Sequence, residues 1–107
     1  MPHQPKFELV FAPEIVGHLD AIERKFHRLI QKTIDEQLTY TPERETRNRK
    51  PVEQPSPFGA TWELSFGPNI CFRVFYEVDN DEHTVQVLAI GVKERNQLLI
   101  DGEELEL

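Results

Sequence analysis

An α+β fold, with one twisted and mainly antiparallel sheet packed on a pair of helices, is what this 107-residue sequence predicts. Three observations carry that expectation. Residues 6–11, 60–66, 70–78 and 84–92 are runs in which apolar and polar residues alternate or β-branched and aromatic residues concentrate, as in half-buried strands. Between the first two runs, apolar residues recur every three or four positions from Ile15 to Leu38, the spacing of one helix face. The length is near the commonest size for one domain, so a single core spanning 1–107 is expected.

Taken in order, KFELVF at 6–11 puts Phe7, Leu9 and Phe11 on one face of a first strand. Ala12-Pro13-Glu14 opens a helix, because proline is tolerated in a first turn where its missing N–H is not needed. Ile15, Val16, Leu19, Ile22, Phe26, Leu29, Ile30, Ile34 and Leu38 continue the helical spacing. Asp20 and Glu23 have capping-box spacing, so a short helix over 13–19 is expected to hand over to a longer one over 21–38; one bent helix fits equally. Residues 39–59 hold Pro42, Pro51, Pro55 and Pro57 without either period and read as a long connection with little regular structure.

Ala60, Trp62, Leu64 and Phe66 then alternate against Thr61, Glu63 and Ser65, and Gly67-Pro68-Asn69 turns the chain. In ICFRVFYEV, Phe72, Val74, Tyr76 and Val78 are expected to face the core, leaving Cys71, Arg73, Phe75 and Glu77 on the other side. Tyr76 reads as packing with a polar tip, and His83 as solvated in a turn. A fourth strand covers 84–92, and 96–107 reads as an acidic tail anchored by Leu98, Leu99 and Ile100.

Composition removes several function classes. With 38% hydrophobic and 29% charged residues the chain is too apolar for wholesale disorder. No stretch approaches the roughly 20 apolar residues of a membrane span and the first residues lack an apolar signal core, so a cytoplasmic protein is expected. Cys71 is single and excludes an internal disulfide. His3, His18, His27 and His83 are scattered with no metal-ligand spacing, and no phosphate-binding glycine loop or nucleophile elbow occurs, so neither metal nor cofactor is expected.

The net charge of −7 argues at first against a nucleic-acid partner, but most of it lies in residues 79–107, which net −6. Within TPERETRNRK at 41–50, Arg44, Arg47, Arg49 and Lys50 outnumber Glu43 and Glu45. Arg73 lies on a strand expected to be central, with Lys93 and Arg95 just after the fourth strand. In a meander these cations can gather on one open surface and would suit a phosphodiester; alternatively, Arg73 pairs with Glu63 across the strands and the others are solvated.

The order of elements, with ATWELSF, CFRVFYEV and LAIGVKERN in succession, resembles the RelE/ParE superfamily of toxins from type II toxin–antitoxin systems, over roughly residues 6–100. RNRKP before ATWEL is similar to its RelE-type branch. The resemblance implies a RelE-like, microbial-ribonuclease-type β-α-α-β-β-β fold with a short C-terminal segment. It also implies a metal-independent endoribonuclease that cuts mRNA on the ribosome and is silenced by a cognate antitoxin. On this resemblance Arg73 and Lys93 are catalytic and Arg47, Arg49, Lys50 and Arg95 hold RNA; Glu63, on the same expected face as Arg73, is a candidate base or else the partner that holds Arg73 in place.

The chain departs from that pattern in three places. Thr61 and Glu63 stand where well-known ribosome-dependent members have lysines, and Leu99 where they have a tyrosine. Two alternatives therefore stand beside the ribonuclease: a ParE-like toxin that binds DNA gyrase, and a catalytically inactive toxin fold that only binds an antitoxin. The acids Asp101, Glu103, Glu104 and Glu106 are expected to fold near the basic face and screen it.

Overall fold

The computed structural model describes residues 5–105, so His3 and Glu106 lie outside the described residues. The chain runs β1 (Glu8–Phe11), α1 (Ile15–Asp20), α2 (His27–Leu38), β2 (Arg49–Pro51), β3 (Trp62–Phe66), β4 (Phe72–Asp79), β5 (Thr84–Glu94), β6 (Gln97–Ile100) and β7 (Glu103–Glu104). The strands form one sheet in the order β2-β3-β4-β5-β6-β7, with β1 added parallel to the start of β5 and every other pair antiparallel. β5 thus pairs with β4 along one edge, while β1 and β6 share its other edge at opposite ends.

The expected helical pair forms, but not at the expected boundary. Asp20 is the last residue of α1, and Glu23 is extended at ψ 133° with no capping bond from its side chain, so the Asp20–Glu23 capping box is absent. A 3-10 turn at Arg24–Phe26 intervenes before α2. His27 Nε2 sits 2.7 Å from the Leu19 carbonyl and 2.8 Å from that of Ile22, satisfying groups that the end of α1 leaves open. Ile15, Ile22, Ile30, Ile34 and Leu38 point into the core, whereas Val16 and Leu29 are exposed because the inward stripe is narrower than the apolar spacing; Phe7, just before β1, is buried but Phe11 at the strand's end is exposed.

β4 is central, and Phe72, Val74 and Tyr76 join the main core as expected, with Val78 packed against it. The Tyr76 hydroxyl donates to the Pro42 carbonyl at 2.7 Å, so its polar tip is satisfied in full burial. Opposite Phe75 and Tyr76 the register slips: Phe75 pairs with Ala89 but Tyr76 with Val87, leaving Leu88 bulged out of the ladder. That slip keeps Val85, Val87 and Ile90 in the main core while Ala89 joins Phe75, Ala60 and Ile100 in a small second cluster across the sheet.

Two expected irregular stretches contain strands. β2 lies inside the 39–59 connection, paired antiparallel with β3 through Arg49–Leu64, Lys50–Glu63 and Pro51–Trp62. The acidic tail is two hairpins, turned by Arg95-Asn96 and Asp101-Gly102, all four residues at positive φ. Its Ile100 is buried in the second cluster, with Leu98 and Leu105 packed against it.

Candidate functional site

Arg73 faces away from the main core and stands opposite Ser65 on β3 and Gly91 on β5. Glu63 and Lys93 lie on its two diagonals, one on each flanking strand, a placement that separates such residues by roughly 7–8 Å. All three line one open cleft of about 360 Å³ on the face opposite the helices. One wall is the 52–57 segment, tied down where Gln54 Nε2 and Ser56 Oγ both donate to the Ala60 carbonyl, at 2.9 and 2.5 Å. The C-terminal hairpins supply the other wall through Gln97, Leu98, Glu104 and Leu105.

Within the cleft Arg73 Nε donates to Glu63 Oε1 at 2.9 Å, the cross-strand pair anticipated as the alternative to a free cation. The pair is mostly shielded from solvent, with 16% and 15% of the side chains exposed, so salt screens it less than a surface pair. Arg73 Nη1 donates to the carbonyls of Ile70 and Phe72. Lys93 is exposed, and its backbone amide donates to the Cys71 carbonyl at 2.7 Å, which pins the end of β5 beside β4. Burial pushes the half-buried Cys71 thiol above its ordinary range, against the pull of Arg73, so it stays protonated near neutrality.

The structure does not gather the remaining basic residues. Arg49 is buried, and its Nη1 donates to the carbonyls of Gln37 at 2.7 Å and Thr41 at 2.5 Å. Its assignment as an RNA-binding residue is therefore corrected: a guanidinium enclosed under β2 holds the chain together and cannot reach a phosphate. Arg47 is exposed in the turn before β2, and Arg95 at the tip of the β5–β6 hairpin; neither lines the cleft. Lys50 is exposed directly opposite Glu63, so it alone of the 47–50 cluster is aligned with the cleft face.

Of the tail acids, Glu104 lines the cleft and accepts a 3.4 Å hydrogen bond from Gln97 Nε2, whereas Asp101 approaches Gly17 and His18 of α1. Glu53 lines the cleft as well, which sequence reasoning missed because nothing local marks it. Among the described residues, no three His, Cys, Asp or Glu side chains converge as metal ligands. No helix of the described residues is long and apolar enough to cross a membrane.

A second concavity, apolar and of about 360 Å³, lies on the helix side between Phe11, Ile15, Leu19, Ile30, Ile34 and Ile90. Phe11 is 44% exposed there, at the end of β1, which pairs on one edge with β5.

No family model matches the chain, and no curated protein matches it. Among solved structures, a chain of the toxin–antitoxin complex RelBE2 from Mycobacterium tuberculosis is similar with a TM-score of 0.63 at 17% identity. The similarity covers 82% of this chain and 99% of that one. With a helical pair on one side of a mainly antiparallel sheet and an open cleft on the other, the chain has the RelE-type toxin fold.

Proposed function

We propose that this protein is the toxin of a toxin–antitoxin pair and acts as an endoribonuclease on mRNA at the ribosome. The observation that carries the reading is that Arg73 and Lys93, far apart in sequence, line one cleft on the open face of a RelE-type fold. Cleavage by attack of a ribose 2′-hydroxyl on its own phosphate needs stabilisation of charge developing on the phosphorane oxygens. The free end of Arg73 and the Lys93 ammonium supply it through charge-assisted hydrogen bonds, each such donor being worth about 3–4 kcal/mol in the transition state. Glu63 orients Arg73, while Lys50, Arg47 and Arg95 meet backbone further out.

A chain of net charge −7 gains little from counterion release, which fits a cleft acting on RNA already held by a ribosome. The apolar concavity beside α1 and α2 suits an amphipathic helix of the antitoxin, laid with its apolar face inward. A protein acting on these two partners would work in the cytoplasm.

A second reading is favoured by the cleft's own acids. Glu53, Glu63 and Glu104 outnumber Arg73 and Lys93, as in a toxin fold that has lost catalysis and only binds its antitoxin. Controlled expression in a bacterium, with primer extension on a reporter message, separates the readings. Growth arrest with cuts inside translated codons, reduced about 100- to 1,000-fold by Arg73→Ala, supports the ribonuclease. Unimpaired growth supports the binding-only fold, and arrest with DNA damage and intact messages supports a gyrase-directed toxin.

A further inference from the structure

We propose that Glu63 is an internal counter-ion that competes with ligand phosphate for Arg73 and thereby sets how strongly the cleft takes an anion. The inference rests on the phosphodiester reading above, and its test separates the two.

A guanidinium carries five N–H donors in a planar fork. Arg73 commits Nε to Glu63 and Nη1 to the carbonyls of Ile70 and Phe72. Nη2 is not a buried atom left without a partner, a condition confined among the described residues to Arg49 Nε. A phosphate arriving at this cleft finds one end of the fork closed by backbone carbonyls and the side-on edge, which includes Nε, occupied by a carboxylate.

In the resting cleft Glu63 neutralises part of the Arg73 charge, with Lys93 as a second cation on the same face. Displacing Glu63 opens the bidentate edge that suits two phosphate oxygens. The carboxylate stays within a shielded pair on a fixed strand, so the competition is built in and not a chance surface contact. Glu63 is a positioning residue: it aims Arg73 at rest, and its charge weakens every anion that binds there.

Glu63→Gln keeps the chain length and an oxygen acceptor for Nε but removes the charge. Wild type, Glu63→Gln and Lys93→Ala are titrated with inorganic pyrophosphate at low salt, following the ¹⁵N resonances of Arg73 Nε and the Lys93 amide. Glu63→Gln should bind about three- to tenfold tighter than wild type, and Lys93→Ala more weakly. In wild type the Arg73 Nε resonance should move as pyrophosphate replaces Glu63, which a purely structural carboxylate would not allow. Equal or weaker binding by Glu63→Gln, or no binding by either protein, overturns the proposal. The same titration with a short RNA oligonucleotide tests the substrate: tighter pyrophosphate binding with no RNA binding upholds the counter-ion and rejects the phosphodiester reading.

Discussion

Nη1 of Arg49 donates to the carbonyl of Gln37 at 2.7 Å, joining edge strand β2 to the last turn of α2. The final carbonyls of a helix have no partner within it, and Arg49 supplies one here while also meeting the Thr41 carbonyl. Burial lowers the pKa of this guanidinium, with Tyr76 opposing the fall and Arg44 adding to it. Arg49→Ala should lower stability by about 2–4 kcal/mol in chemical denaturation, because two carbonyls lose their donor and a cavity opens. Arg47→Ala, two residues away but exposed, should change it by less than about 0.5 kcal/mol.

Tyr76→Phe should cost about 1–2 kcal/mol, since the buried Pro42 carbonyl loses its hydrogen bond without any change in packing volume. Burial raises the phenol well above its ordinary value of 10, with Arg49 opposing the rise. Spectrophotometric titration should therefore find Tyr76 silent until the protein unfolds.

His18 gives stability a pH dependence of definite sign. Its Nδ1 accepts the Ile90 amide at 3.2 Å, so the folded ring is neutral. Burial lowers its pKa below the ordinary 6.5, against the opposing charges of Asp101 and Glu14. The unfolded chain thus takes up a proton before the folded one does. His18's contribution is complete above about pH 6.5 and lost as pH falls through the folded value. Denaturation at pH 7.5 and pH 5 should show a larger loss for wild type than for His18→Gln, whose side-chain oxygen can accept the same amide.

Gly91 has no room for a side chain. A Cβ there would lie 2.9 Å from both Ile100 Cγ1 and the Leu99 carbonyl oxygen, and 3.0 Å from Leu98 Cδ1. Gly91→Ala should cost about 1–3 kcal/mol and loosen the pairing of β6 with β5, with amide exchange accelerating first at Leu98 to Ile100.

Much of the fold could be read along the chain. Period-two runs located β1, β3, β4 and β5, and helical spacing located α1 and α2, because burial on one face imposes those periods locally. The β6–β7 hairpin also carried a local mark, Asp101-Gly102 after the apolar run Leu98 to Ile100, which the acidity of the tail obscured. β2 carried none: three residues with a proline become a strand only because β3 offers an unpaired edge. The Asp20–Glu23 spacing misled for a related reason, since the helix start moved to where His27 could reach the carbonyls of Leu19 and Ile22.

By itself the sequence determined the kinds of elements, the inward face of β4 and the outward placement of Arg73, because all of these follow from backbone periodicity. Only the tertiary structure decided which charges meet. Arg49 and Lys50 are neighbours, yet one is enclosed under the sheet and the other stands on the cleft face, since successive strand residues point to opposite sides. Glu63, Arg73 and Lys93 come together through strand register, and Glu53 and Glu104 through loop and hairpin closure. Charge–charge geometry is set by long-range pairing, which no local pattern encodes.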